Sequence, residues 1–226
     1  MPRPISLVLL PGMDGTGLLF DPFVAELSNL LRPIIIRYPT DRVLGYDDLQ
    51  QLVEAALPGT GPFAILAESF SGPLAMCIAA RGHPRLVALI TVASFVRNPV
   101  RFWPASLKWL IRPVVFQLPL LAWGIRQFLV GTDAPADLVA AVRSAVRMVQ
   151  PAVMARRARE ILSVDTRDAL ARIRVPFLYI SGSRGRLVSS RNVEDLRILG
   201  ERLETAFLDA PHLILQRQPV AAARVI

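Results

Sequence analysis

The 226-residue sequence is short of several things, and each shortage removes a class of protein. It has one cysteine, Cys77, so no intramolecular disulfide framework holds it together. Cys77 lies in the apolar run "LAMCIAA" and reads as a small buried hydrophobe. It has one lysine, Lys108, among 26 cations, the others being arginine. A formal charge of +8 would suit nucleic acid or an anionic surface, but the arginines are scattered rather than gathered in a block. Zinc-ligand spacing, a Walker loop and an RNA-binding signature are missing, so no nucleic acid is expected as a partner. The opening "MPRPISLVLLPG" has no small-residue cleavage site behind its short apolar run, and reads as a strand and a turn rather than a secretory signal. The oiliest stretch, Trp109 to Gly131, is interrupted by Arg112, Pro113, Pro119 and Arg126. It falls short of the roughly 20 apolar residues of a spanning helix. A soluble cytoplasmic protein is the expectation, with membrane contact possible but not expected; the alternative is an interfacial membrane protein using Trp109 to Gly131 with its flanking arginines. There are only two histidines, His83 and His212.

What is present is apolar: 53% of the residues are hydrophobic, enough for a large core. Short apolar runs alternate with helical patterns. Strands are expected at Ile5 to Gly12, "PIIIRYP", "PFAILAES", "LVALITVAS", Val175 to Gly182 and Leu203 to Ala210. Helices are expected at Asp21 to Leu31 with Asp21 as N-cap, at "YDDLQQLVEAAL", at "SGPLAMCIAARG" closed by Gly82, and in the tail "PVAAARVI". Continuous apolar strands between helices argue an α/β fold with a mostly parallel sheet of about six strands, covered on both faces. The long interval between the fourth and fifth strands exceeds any single crossover helix. It is expected to form a helical cap, residues 96–174, inserted into a core of residues 1–95 and 175–226. Trp103, Trp109 and Trp123, with Phe102, Phe116 and Phe128, are expected in the cap core, some of them lining a pocket roof.

Ser69 in "ILAESFSGPLA" stands where the third strand gives way to a helix. A strained strand-to-helix turn that exposes a nucleophile needs small residues two positions either side of it. Here they are Ala67 and Ser71, followed by Gly72. The helix start favours developing negative charge near the serine. His212 follows the last strand in "LDAPHLILQ", at the sheet edge where parallel α/β folds bind ligands. His83, in "RGHPRL", reads as a surface residue at a helix end. The loop "LPGMDGTG" after the first strand is placed to present the Met13 amide, with Asp14 fixing the turn through its own backbone. It lacks the features of a nucleotide loop. Glu68 reads as a solvent-side or buried hydrogen-bonding residue.

Taken in order, "LPGMDGTG", "AESFSG", "VPFLYISGSRGRLV" and "DAPHLILQ" resemble the α/β-hydrolase family over nearly the whole chain. The first two are similar to a branch that includes plant phytyl-ester synthases and small bacterial esterase-like proteins. The resemblance implies Ser69 as nucleophile, His212 as base, and the Met13 and Phe70 amides as oxyanion hole. It implies a serine hydrolase cleaving carboxylic esters with an apolar acyl group through an acyl-enzyme. No cofactor or metal is implied, and the implied partner is a small-molecule acyl ester. A thioesterase, or an impaired binder of hydrophobic small molecules, are the alternatives. The chain would be a minimal form beginning at the family's third strand.

One position departs from the pattern. The family's loop after the fifth of these strands reads G-x-x-D, and its aspartate orients the histidine. Here "GSRGRLV" places Gly185 there. Loss of such an acid costs on the order of thousands-fold in turnover. Asp14, Asp165, Asp168, Asp209 and Glu194 are the carboxylates that could substitute. Otherwise Ser69 and His212 act as a slow dyad, or the protein binds without turnover.

Overall fold

A computed structural model describes residues 4–100, 105–117, 124–185 and 191–226. Six strands form one parallel sheet: β1 (Ile5–Leu10), β2 (Leu31–Ile35), β3 (Phe63–Glu68), β4 (Leu86–Val92), β5 (Phe177–Gly182) and β6 (Leu203–Leu208). Their order across the sheet is β2-β1-β3-β4-β5-β6, with every neighbouring pair parallel. Alternation of side chains sends Val8, Leu10, Ile65 and Ala67 to one core and Leu7, Leu9, Leu66 and Val92 to another. A sheet buried on both faces explains why the strands read as unbroken apolar runs.

The first core is covered by α2 (Tyr46–Ala55) and α3 (Ser71–Ala80). The second is covered by α1 (Asp21–Val24) and the C-terminal pair Ile214–Arg217 and Pro219–Arg224. The expected helix Asp21 to Leu31 is cut to four residues, and Asp21 is its first residue rather than its N-cap, which is Phe20. After Val24 the chain tightens, with Glu26 N–H on the Phe23 carbonyl and Leu27 N–H on that of Val24, and a further turn from Ser28 leads into β2 at Leu31. Pro33 is tolerated in β2 because that strand is an edge, where a missing N–H leaves no ladder bond unmade.

Between β4 and β5 the chain leaves the sheet. Its outgoing and returning limbs are pinned together where Thr166 N–H and Oγ1 both donate to the Val96 carbonyl and Asn98 N–H donates to Val164. Beyond this neck lie two 3-10 turns (Ala105–Leu110 and Pro113–Gln117), a π-helical turn (Ile125–Val130), α4 (Ala136–Arg147) and α5 (Pro151–Ser163). Ile125, Val130, Val139 and Val142 pack there with Leu213, the neighbour of His212. The aromatic residues expected in this core behave otherwise. Among the described residues Trp109 is 68% exposed and Phe128 38%, while Phe116 tucks under. The short turns around Trp109 cannot bury all of their side chains against one helix. Phe102, Trp103 and Trp123 lie outside the described residues. Among the described residues no single helix is long and apolar enough to cross a membrane.

Strand order sets the site. The sequence of strands reverses direction between β1 and β3, and such a switch point opens a crevice at the carboxyl ends of the two strands. The loop after β1 and Ser69 after β3 both sit there, because Leu10 pairs with Ala67.

Candidate active site

Ser69 has φ of 49°, in the left-handed region. A residue with a Cβ pays on the order of 1–2 kcal/mol for this conformation. The turn is held from several sides. Ser69 N–H donates to the Val92 carbonyl, and the Ser69 carbonyl accepts from Gly72 N–H (3.0 Å) and Ser94 Oγ (2.8 Å). Gly72 is required: a Cβ there would stand 1.6 Å from Ser94 Oγ. So the glycine that permits the close approach is at 72, one position later than the usual spacing.

Ser71 occupies the usual position and does something a glycine could not. Its hydroxyl donates to the Pro11 carbonyl in the loop after β1. That uses its only proton, so the Tyr38 hydroxyl donates to Ser71 Oγ (2.7 Å). The serine turn and the loop are thereby tied together.

His212 is buried in the loop after β6, and its Nε2 lies 2.8 Å from Ser69 Oγ. The two residues are 143 positions apart in the chain. Burial holds the imidazole pKa down from 6.5 to about 4, so it is neutral and able to accept a proton. Among the described residues no carboxylate is hydrogen bonded to His212. Asp14 accepts from Thr16 instead. Asp165 pairs with Arg167, and Asp209 with Arg184. Asp168 and Glu194 lie on the short helices Arg167–Leu170 and Arg191–Leu196, and no carboxylate of theirs reaches the imidazole. Gly185 follows β5 in a turn closed by its N–H on the Gly182 carbonyl. That turn lies against the histidine loop: a Cβ on Gly182 would stand 2.4 Å from the Ala210 carbonyl and 2.5 Å from that of Pro211.

The loop after β1 has its carbonyls drawn away. Pro11 accepts from Ser71, Gly12 from Gly15 N–H, and Gly15 from Tyr38 N–H. Met13 and Asp14 both accept from Nη1 of Arg157, on α5. Arg157 is 1% exposed, also donates to Pro39 and lies over the Tyr38 ring. Its guanidinium needs room, and Gly15 gives it, since a Cβ there would be 2.5 Å from Nη1. A trans peptide points N–H opposite to C=O, so the Met13 N–H faces away from the bonded Gly12 carbonyl. On the other side the Phe70 carbonyl is taken by the Tyr46 hydroxyl (2.7 Å). Among the described residues the N–H groups of Met13 and Phe70 donate to no acceptor.

These groups surround a cavity of about 150 Å³, lined by Met13, Ser69 and His212 with Leu129, Val142 and Met154 among its apolar walls. Sequence reasoning did not find Arg157, Tyr38, Tyr46 or Ser94. An arginine in "MARRAREIL" carries no local sign that it is the buried one. Among the described residues no cluster of His, Cys, Asp or Glu could hold a metal ion. His83 accepts from Arg85 N–H and packs edge-on to Phe63, far in role from the cavity. Cys77 is half-buried.

Residues 7–225 match the alpha/beta hydrolase family. The chain belongs to that family. It is 32% identical over 106 residues to the chloroplastic phytyl ester synthase 1 of Arabidopsis thaliana, a match spanning 42% of this chain and 15% of that protein. The fold is that of the enol-lactonase from Burkholderia xenovorans (TM-score 0.81, 18% identity, covering 99% of this chain and 90% of that one). It is also that of a thermophilic esterase from Thermogutta terrifontis (TM-score 0.80, 18% identity, 100% and 88%). At such identities the structures speak for the α/β-hydrolase fold alone, and the chain spans about a seventh of the length of the curated relative it matches.

Glu68, beside Ser69, is another strongly shifted group in this α/β hydrolase. Burial first, then the nearby Asp14 charge, push its pKa from 4.5 up to about 8, against a hydrogen bond from Gln216. From pH 4.5 to about 8 the folded state therefore holds a proton that the unfolded chain has released, and stability falls as pH rises. His212 acts with the opposite sign between about 4 and 6.5, where the unfolded chain binds the extra proton. The two slopes offset one another up to 6.5, so the net descent lies between 6.5 and about 8. Its steepness is about 1.4 kcal/mol per pH unit. Glu68→Gln is expected to remove this descent. Urea denaturation at pH 6.5 and at pH 8 checks it, and parallel losses in parent and variant would contradict the assignment.

Proposed function

We propose that this α/β hydrolase is a serine esterase, cleaving carboxylic esters of a short apolar acyl group through an acyl-enzyme. The observation that carries the reading is the Ser69 Oγ to His212 Nε2 contact of 2.8 Å at a left-handed turn over an apolar cavity. Ser69 Oγ attacks the ester carbonyl carbon while His212 Nε2 takes its proton. The carbonyl oxygen becomes an oxyanion held by the Met13 and Phe70 N–H groups. The C–O bond to the alcohol breaks as Nε2 returns the proton to the leaving oxygen. Water, deprotonated by the same nitrogen, then releases the acid. A cavity of this volume holds a group of about six carbons, the size of benzene.

The withdrawn carbonyls give the proposed oxyanion hole its sign. Every backbone carbonyl of the loop from Pro11 to Gly15 is engaged elsewhere, which leaves the Met13 N–H without an acceptor among the described residues. Asp14 fixes its turn and Arg157 holds the loop against the returning strand. Neither touches substrate in this scheme.

A second reading rests on Gly185: a member that binds apolar molecules without turnover, since among the described residues no carboxylate is bonded to the imidazole. A fluorophosphonate probe separates the two. Stoichiometric labelling of Ser69, traced to the peptide that carries it by mass spectrometry, is expected of an esterase. Folded protein that stays unlabelled would favour the binder.

A further inference from the structure

The first 3-10 turns beyond the neck present an apolar surface that the fold leaves uncovered. Leu107, Trp109, Leu110, Val114 and Val115 are 41%, 68%, 62%, 54% and 46% exposed, all within nine residues. Scattered exposed aliphatics are ordinary, whereas a gathered patch centred on a tryptophan is not. The surface is also electropositive. Lys108 and the exposed Arg112 lie within it, and the Lys108 ammonium sits 5.5 Å from the Trp109 ring centroid with the Arg159 guanidinium at 5.8 Å on the same ring. The sequence contains no aspartate or glutamate between Glu68 and Asp133. A tryptophan flanked by cations and aliphatics matches the boundary between lipid headgroups and acyl chains, where the ring sits at headgroup depth and the cations meet lipid phosphates.

The patch adjoins the cavity. Arg159 pins the turn by donating to the Ile111 carbonyl through Nε (3.0 Å) and Nη2 (2.6 Å). Phe116, at its edge, packs on the cluster of Val149, Val153 and Met154, against which Met13 also packs. Met13 and Met154 are cavity walls. The cluster of Val149, Val153 and Met154 therefore joins the exposed turns to the cavity wall.

We propose that this face docks on an anionic lipid surface. Trp109, Leu110 and Val114 enter the headgroup boundary, while Lys108 and Arg112 contact the phosphates. Such docking sets the cavity beside the phase in which apolar esters concentrate. The docking itself does not depend on the chemistry proposed above, because binding is read without turnover.

The test is sedimentation of the full chain with phosphatidylcholine vesicles, with and without phosphatidylglycerol. Binding is expected with the anionic lipid, weaker without it, and diminished by salt. The double variant Leu110→Ser with Val114→Ser is expected to lower the partition coefficient about tenfold or more. Arg112→Glu is expected to lower binding to the anionic vesicles alone. All these side chains are exposed and none lines the cavity, so labelling of Ser69 should be unaltered in each variant. No binding at any phosphatidylglycerol content, or equal binding by the double variant, overturns the proposal. So does a dimer in size-exclusion chromatography that the double variant converts to monomer while the parent ignores vesicles, since the face would then belong to a second copy.

Discussion

Gly185→Asp is expected to raise ester turnover by about two to four orders of magnitude, the inverse of what removing a triad acid costs. The turn bearing Gly185 lies against the loop bearing His212, as the tight approach of Gly182 to the Ala210 and Pro211 carbonyls shows. An aspartate fits there with little adjustment. Gly185 is not in the left-handed region, and its added Cβ would meet the Gly182 carbonyl at 3.1 Å, a few tenths of an ångström too close. The carboxylate would hold the proton of His212 on Nδ1, leaving Nε2 free toward Ser69, and would stabilise the imidazolium. A second readout follows from the same interaction. In the parent, burial without a carboxylate partner keeps His212 near pH 4, so the acid limb of kcat/KM should lie near there. A neighbouring negative charge favours the protonated imidazole and moves that limb upward. Turnover and limb should shift together. If neither moves, position 185 is not the vacant acid position.

Ser69→Ala is expected to remove the turnover that depends on the serine hydroxyl. In the parent the fall is limited by how slow a dyad without its acid is. Made in the Gly185→Asp background, it should reach the order of a millionfold seen when a triad serine is removed. The substitution is a fair test because alanine keeps a Cβ and so leaves the strain at φ 49° as it was. Only the hydroxyl facing His212 is lost. Hydrolysis of a p-nitrophenyl ester with far-ultraviolet circular dichroism as fold control measures it. Undiminished hydrolysis by the folded variant would remove Ser69 from the reaction.

Much of this was legible in one dimension because the signals are local. Unbroken apolar strands announce a sheet covered on both faces, and all six fall near their expected places. Ser69 is marked by the small residues around it, since a tight turn excludes bulk whatever the rest of the chain does. The exception is instructive. The usual glycine is at Gly72 rather than position 71, because the obstacle it avoids is Ser94, more than twenty residues away. Ser71 keeps its hydroxyl because Pro11 and Tyr38 need it, and neither is its neighbour in sequence. The length of the first helix and the fate of Trp109 were misread for a related reason. Local hydrophobicity says that a side chain prefers burial, and only the packing says whether a surface is there to bury it.

The sequence by itself determined the parallel α/β architecture and the order of the loops that meet at the cavity. Period and turn chemistry act over a few residues, and so are legible without the fold. The tertiary structure alone decided that Ser69 and His212, 143 residues apart, stand 2.8 Å from one another. It alone singled out Arg157 as the cation that draws two loop carbonyls away from the site. It also left Trp109 and its neighbours facing outward. Such facts depend on which elements the sheet brings together, and proximity between distant segments is set by the whole packing rather than by either segment.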